Sequence, residues 1–323
     1  MALNLTPMYR KAEEVFRAAK TTPEKIAALE EMYALLPKHK ASEKMQAELK
    51  QRLSKLRATP EPAKTHGTVD LWHIERHGAG QFVLLGMPNC GKSALVGALT
   101  KARVTVAAYP FSTHAPVPGM MPYEDIQIQL VDMPPLTPEG LPPGMLGAIK
   151  AAQGILVCID LSADVLEQVD ACFGTLEQRG VVPRGRPVPE GGAAMLMVLV
   201  GTKLDLPGAA ESFEVLKELH ADLAPMLAVS AEAGQNLGEL PRQCFKLLDI
   251  VRIYSKEPGK PIDREKPFVL PRGSTVLDLA ALIHKDLAQN LKRARIWGTN
   301  VYDGQPAPRE HVLADRDVIE LHV

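Results

Sequence analysis

Residues 81 to 94, QFVLLGMPNCGKSA, place a short apolar run, a glycine-bounded loop and the start of a helical pattern side by side. Gly86, Gly91, Lys92 and Ser93 fit G-x-x-x-x-G-K-[ST], a spacing suited to anion capture. Glycine lets the backbone approach a phosphate closely, and the first helical turn offers unpaired N–H groups at the positive end of its dipole. The lysine reaches outer phosphates, and the serine hydroxyl is a ligand for a hard divalent cation. A tight strand-to-helix turn with no ligand is the competing reading of the same residues.

Four further stretches follow in order. Thr113 lies within YPFSTHAP, Asp132 ends the apolar run IQIQLVD, Thr202-Lys203-Leu204-Asp205 follows another run, and Ser230-Ala231 comes after a third. Each is weak alone, since an Asp at a strand end is usually a turn former. Their order and their places after successive strands make the set specific. Cys90 sits inside the glycine loop, as a redox-sensitive thiol or as a variable position. None of Cys90, Cys158, Cys172 and Cys244 forms a C-x-x-C pair or has a His at zinc-like spacing, so all four read as reduced thiols.

The elements that position these residues are legible as a pattern. From 69 to 252, apolar runs alternate with helical periodicity, which predicts an α/β sheet. Strands are expected at 81–86, 126–131, 154–160, 195–201 and 225–230, and helices at 92–101, 163–179, 209–222 and 237–254. Ligands of such sheets bind at the carboxyl ends of the strands, so the motifs should share one edge. Residues 180 to 193, rich in Gly and Pro, read as a loop. Before the sheet, Ile26, Leu29, Met32, Tyr33 and Leu36, then Met45, Leu49, Leu53 and Leu56, form two apolar stripes of a helical hairpin. Residues 58 to 68 read as a linker. After the sheet, 262 to 323 reads as a small separate domain. It has a strand at 268–270, a capped helix from Thr275 with Leu279, Leu282 and Ile283 inward, and a closing strand at 318–323. Lys292, Arg293 and Arg295 before Trp297 supply either phosphate contacts with an aromatic face, or a basic helix end beside a core Trp.

With 323 residues, 46% hydrophobic and 23% charged, the chain has room for two or three domains. No apolar stretch approaches a membrane span and the first residues lack a signal-peptide core, so a cytoplasmic location without membrane contact is expected. Net charge is −1 but uneven: residues 6 to 57 carry 12 Lys/Arg against 7 Asp/Glu, with 25 against 31 elsewhere. That basic bias is either a solvated helical face or an attraction for RNA.

The motif set resembles a translation-factor-class GTPase, and G-x-P-N-x-G-K-S with A-Y-P-F-S-T is similar to the Obg and DRG (developmentally regulated GTP-binding) group. The resemblance implies GTP or GDP bound by Lys92 and the backbone of Asn89, Cys90, Gly91, Ser93 and Ala94. Mg²⁺ would be held by Ser93, Thr113 and Asp132, and K⁺ by Asn89, with Lys92, Thr113 and Asp132 catalytic. Asp205 would read the guanine edge, Thr202 and Lys203 would flank the base, and Ser230, Ala231 and Glu232 would meet the guanine oxygen. Thr202 stands where the family usually has Asn. Pro135 stands where it has the Gly whose N–H meets the γ-phosphate, and proline has no N–H. Leu136, not Gln, follows. LPRGSTVLDLA and the segment ARIWGTNVYDGQPAPREHVLADRDVIEL resemble the TGS domain, a ubiquitin-like β-grasp module shared with threonyl-tRNA synthetases and stringent-response enzymes. The implied organisation is a helical region and linker at 1–68, a P-loop GTP-binding domain at 69–255 and a TGS domain at 262–323. Some DRG proteins carry an inserted subdomain in the region of 180–193, for which this chain has room only for a loop. The implied protein is a slow Mg²⁺-dependent GTPase acting with the ribosome or another RNA-containing partner, as a monomer. A nucleotide-dependent binding module with negligible hydrolysis is the alternative.

Overall fold

The computed structural model describes residues 7–18, 22–36, 43–58, 72–100, 115–137, 140–299 and 301–323. The chain separates into two compact units, Met1–Asp70 and Leu71–Val323.

The first unit is three helices, α1 (Pro7–Ala18), α2 (Thr22–Ala34) and α3 (Glu43–Ala58), and not the hairpin expected from two stripes. Tyr9, Ala12 and Phe16 recur at helical spacing on α1 and supply a third apolar face. They close on Leu29, Met32 and Leu36 from α2 and its end, and on Leu49 and Leu53 from α3. The Tyr9 hydroxyl points at Met45 Sδ, 3.6 Å away. Tyr33, assigned to the inner stripe from its spacing, is 40% exposed.

The second unit opens with an α/β layer. Its elements are β1 (Gln81–Leu85), α4 (Lys92–Leu99), β2 (Val117–Tyr123), β3 (Ile126–Asp132), α5 (Met145–Ala151) and β4 (Gly154–Asp160). They continue with α6 (Val165–Gln178), β5 (Val181–Pro183), β6 (Ala193–Thr202), α7 (Ala209–His220), β7 (Met226–Ala228) and α8 (Glu239–Leu248). The sheet runs β2-β3-β1-β4-β6-β5, with β7 also on β6, and only β2 is antiparallel to its neighbour. Parallel strands covered on both faces favour unbroken apolar runs, as in residues 82–85, and Gln81, also buried, donates its amide to Gln129 Oε1 at 2.8 Å. Alternate residues serve opposite faces. Val83, Leu85, Ile155 and Val157 meet Met145, Val169 and Leu216 on one side, while Phe82, Leu84, Leu156 and Val198 meet Leu95, Val96 and Leu240 on the other. The stretch 180–193, read as a loop, contributes β5. The edge strand β2, with Pro118 and Pro122, is a strand that the sequence pattern did not indicate; an edge tolerates the missing donors.

The helix expected over 237–254 ends at Leu248. Asp249 takes a left-handed conformation (φ 51°), and Ile250–Ser255 becomes β8, which belongs to a second sheet. That sheet also contains β9 (Phe268–Pro271), helices α9 (Val276–Ile283) and α10 (Lys285–Asn290) between strands, then β10 (Arg293–Trp297), β11 (Gln305–Ala307) and β12 (Val318–His322). Its order is β11-β10-β12-β8-β9, parallel only between β8 and β12. Thr275 caps α9 reciprocally with Asp278, and Val276, Leu279 and Ala280 pack on Val251, Ile253, Ile296 and Ile319. This is a β-grasp. Arg293 and Arg295 therefore lie on a strand and not at a helix end.

Candidate functional site

The loop after β1 has the geometry its glycines predict. Asn89 (φ 61°) and Gly91 (φ 89°) are both left-handed, which turns successive backbone N–H groups toward the start of α4. A Cβ on Gly86 would come within 2.5 Å of Cys158 O and 2.6 Å of Cys90 Sγ, so only glycine fits there. Lys92 is buried, with Nζ donating to Gly86 O and Met87 O, both at 3.1 Å. Ala94 faces the adjoining cavity, and Asn89 is exposed at the loop surface. Cys90 is 1% exposed, and burial raises its pKa despite the neighbouring Lys92, which disfavours the reactive thiolate. All four cysteines are free and buried.

Ser93 and Asp132 meet at the far end of this loop, with Oγ donating to Oδ2 at 2.5 Å. Among the described residues Asp132 Oδ1 is buried without a hydrogen-bond partner, and burial raises the carboxyl's pKa although Ser93 and Lys92 oppose the shift. A hydroxyl and a carboxylate with an unused oxygen are the hard donors that Mg²⁺ prefers. Thr113, the third expected member of this set, lies outside the described residues. Beyond Asp132, Met133 and Leu136 are buried, and the Leu136 N–H donates to Gly86 O at 3.0 Å.

The second half of the site lies at the ends of β4, β6 and β7. Thr202, buried, points its hydroxyl at Cys90 O (2.6 Å) and Ile159 O (3.1 Å), so it pins the glycine loop to two strand ends. Lys203 is left-handed (φ 59°), and its ammonium pairs with Asp160 Oδ2 at 2.5 Å. Ser230, fully buried, donates to Asp205 Oδ1 at 2.5 Å and accepts from the Ala233 N–H at 2.9 Å. Gly91, Ala94, Thr202, Lys203, Asp205, Ala231 and Glu232 line one cavity of about 260 Å³. The structure thus brings together the loop, the Asp205 tetrapeptide and the Ser230 turn, which are far apart in sequence. Asp160 was missed. Its signal was the same as that of Asp132, an Asp ending an apolar run, GILVCID. Burial opposes its ionisation, but bonds from Lys203 and Ser162 outweigh it and hold its pKa low. Gln168 fixes the Asp160 backbone at both its N–H (2.9 Å) and its C=O (3.0 Å). Among the described residues no cluster of three or more His, Cys, Asp or Glu could hold a metal, and no helix is long and apolar enough to cross a membrane.

An anion loop and a base-sized cavity on one sheet edge, followed by a β-grasp, define a P-loop nucleotide-binding protein of the GTPase type. Residues 81–184 match the family described as 50S ribosome-binding GTPase, and residues 251–323 match the TGS domain. An uncharacterized GTP-binding protein of Halobacterium salinarum is 28% identical over 368 residues, covering 92% of this chain and 98% of that one. Developmentally-regulated G-protein 2 of Arabidopsis thaliana is 25% identical, covering 92% and 90%. The chain is homologous to these GTP-binding proteins along nearly its whole length. The 368-residue aligned span exceeds the 323 residues here, so the Halobacterium protein carries residues this chain lacks. The solved YchF GTPase of Schizosaccharomyces pombe shares the fold, with a TM-score of 0.52 at 13% identity, covering 77% of this chain and 99% of that one.

Proposed function

We propose that this chain is a slow, Mg²⁺-dependent GTPase of the Obg and DRG branch that works as a cytoplasmic monomer with the ribosome or another RNA-containing partner. The observation that carries the nucleotide reading is the bond from Thr202 to Cys90 O, which fastens the phosphate loop to the cavity holding Asp205. Loop N–H groups and Lys92 take the phosphates. Ser230 holds Asp205 Oδ1, which leaves Oδ2 to accept from the donors of a guanine edge. Ser93, Asp132 and Thr113 are the residues that would hold Mg²⁺, which supplies charge neutralisation between the outer phosphates. Asn89, exposed on the loop, is where K⁺ would bind. Phosphoryl transfer to water then rests on positioning and charge stabilisation, without a covalent intermediate. Four unpaired thiols fit a reducing compartment.

Support for an RNA partner comes from the outer face of the β-grasp. Lys292, Arg293 and Arg295 are exposed, and among the described residues none has a carboxylate partner, while Trp297 beside them is covered by Lys256 at 5.0 Å. Unpaired cations beside an aromatic ring suit phosphates and bases.

Slow turnover is inferred from the segment after Asp132. Pro135 offers no N–H, and Leu136, where a water-positioning Gln would stand, is 1% exposed. The same observation favours the second reading, a nucleotide-dependent binding module with negligible hydrolysis. Phosphate release from GTP by the purified chain with Mg²⁺ and K⁺, lost in Lys92→Ala, supports the GTPase. GTP binding without release supports the module, and failure to bind GTP or GDP at millimolar concentration defeats both. Co-sedimentation with ribosomes in GDP, in a GTP analogue and without nucleotide tests the partner.

A further inference from the structure

Arg252 projects from β8 away from the β-grasp core and is 3% exposed. Its guanidinium takes Asp315 in a forked pair, Nε to Oδ1 at 3.1 Å and Nη2 to Oδ2 at 2.7 Å. Its remaining nitrogen, Nη1, donates to Asp125 Oδ1 at 2.6 Å and to Glu124 Oε2. The Tyr254 hydroxyl donates to the other oxygen of Asp125, and Arg316 donates to Glu124 Oε2 at 2.5 Å. Phe245 of α8 lies under the guanidinium at 4.8 Å, stacked against Tyr123 at 5.0 Å.

Glu124 and Asp125 form the turn between β2 and β3, and Glu124 is itself left-handed (φ 50°). At the other end of the same hairpin, seven paired positions away, Val117 faces Asp132. Seven residues of strand are about 20 Å long, and β3, paired to β2 on one side and to β1 on the other, runs unbroken from the turn to Asp132. The β-grasp therefore grips one end of a hairpin whose other end carries the carboxylate beside Ser93.

We infer that the Arg252, Tyr254 and Arg316 grip on Glu124 and Asp125 is a latch through which the β-grasp domain regulates the nucleotide site, by restraining the hairpin that ends at Asp132. This rests on the GTP-binding reading above. Arg252 is 3% exposed whereas Glu124 and Asp125 are 42% and 22% exposed, so the grip on the turn can be made or broken while Asp315 keeps the buried guanidinium paired. A nucleotide that shifts Asp132 must bias the latch, and the latch must bias the choice between nucleotides by the same factor. Any partner seated on the β-grasp gains leverage on nucleotide state by the same route.

The test uses the full chain with Glu124→Gln and Asp125→Asn combined, which leaves the Arg252 to Asp315 pair intact. The affinities for GDP and for a non-hydrolysable GTP analogue are measured by calorimetry, with amide exchange of Tyr254 and Arg316 as the reporter. Both amides belong to residues of the grip and are bonded within the β-grasp, Tyr254 to Asp317 O at 2.9 Å and Arg316 to Arg252 O at 2.7 Å. The expected result is a GDP-to-analogue affinity ratio shifted by roughly fivefold or more, the lower end of measured coupling between sites. Nucleotide-dependent protection of the two amides should appear in the wild type and vanish in the variant. A ratio within twofold of wild type overturns the latch. Should the double variant not fold, Tyr254→Phe decides by the same ratio. A wild type that binds neither nucleotide removes the latch together with the function on which it rests, whereas tight binding with an unchanged ratio removes the latch alone.

Discussion

Ser93 Oγ donates to Asp132 Oδ2 at 2.5 Å, joining the first turn of α4 to the end of β3. Burial raises the Asp132 pKa above its unfolded value. The sign follows: the group favours folding below the ordinary carboxylate range, and that contribution is lost as pH rises through the raised folded value. At neutral pH the ionised carboxylate is therefore a liability, as functional groups often are. Asp132→Asn should raise the Tm of the nucleotide-free protein at pH 7 while abolishing the tightening of GDP by Mg²⁺. A lowered Tm would contradict the burial argument, and retained Mg²⁺ dependence the ligand assignment.

Thr202 ties the glycine loop to the end of β4 with one hydroxyl. Thr202→Val keeps the shape and leaves Cys90 O and Ile159 O without that donor in a buried place. An unsatisfied buried polar group costs about 1–3 kcal/mol. Urea unfolding should show a loss of that size, accompanied by weaker GDP binding. Loss of stability with unchanged GDP affinity would mean that the loop holds its shape without the strand behind it.

What the sequence revealed follows from the range over which each signal acts. The glycine loop, Asp132, the Asp205 tetrapeptide and the Ser230 turn each carry their chemistry in consecutive residues, and buried parallel strands read as unbroken apolar runs. The strand β8 was hidden because its residues prolong the apolar pattern of α8, and only the left-handed Asp249 separates them. The strand β2 was hidden by two prolines that an edge position permits. Tyr33 has core spacing yet 40% exposure, because the third helix decides which flank of α2 is covered. No local pattern announces Arg252 and Asp125, separated by 127 residues and joined only by the packing of two sheets.

The latch also predicts a response to acid. Hydrogen bonds from Arg252 and Arg316 hold the Glu124 pKa low. Burial opposes ionisation of Asp125 and Asp315, but bonds from Tyr254 and Arg252 outweigh it and lower both. Groups with depressed folded pKa values stabilise above the unfolded values, about 4, and lose that contribution as pH falls through the folded ones. The stability gap between wild type and the Glu124→Gln, Asp125→Asn variant should thus be larger at about pH 6 than near pH 3. Urea midpoints at the two pH values measure it, and a gap that is constant would assign the stabilisation to packing.

Pro135 is the departure with the largest expected consequence. A backbone N–H bonded to a charged phosphate contributes roughly 1.5–3 kcal/mol, and proline withholds it. Pro135→Gly should therefore tighten a GTP analogue relative to GDP by about ten- to a hundredfold. The same change frees the unfolded chain, at a cost of about 0.4–1 kcal/mol in stability. Leu136 limits how far the segment can loosen, because its side chain is buried and its N–H is already bonded to Gly86 O. Calorimetry on both proteins, at equal Mg²⁺, separates the two effects, since stability moves with the flexible backbone and the affinity ratio with the donor. Pro135→Ala supplies an N–H without glycine's freedom and should recover most of the ratio at a smaller loss of stability. If neither substitution changes the ratio, position 135 does not face the γ-phosphate, and the proposal of slow hydrolysis then rests on Leu136 alone.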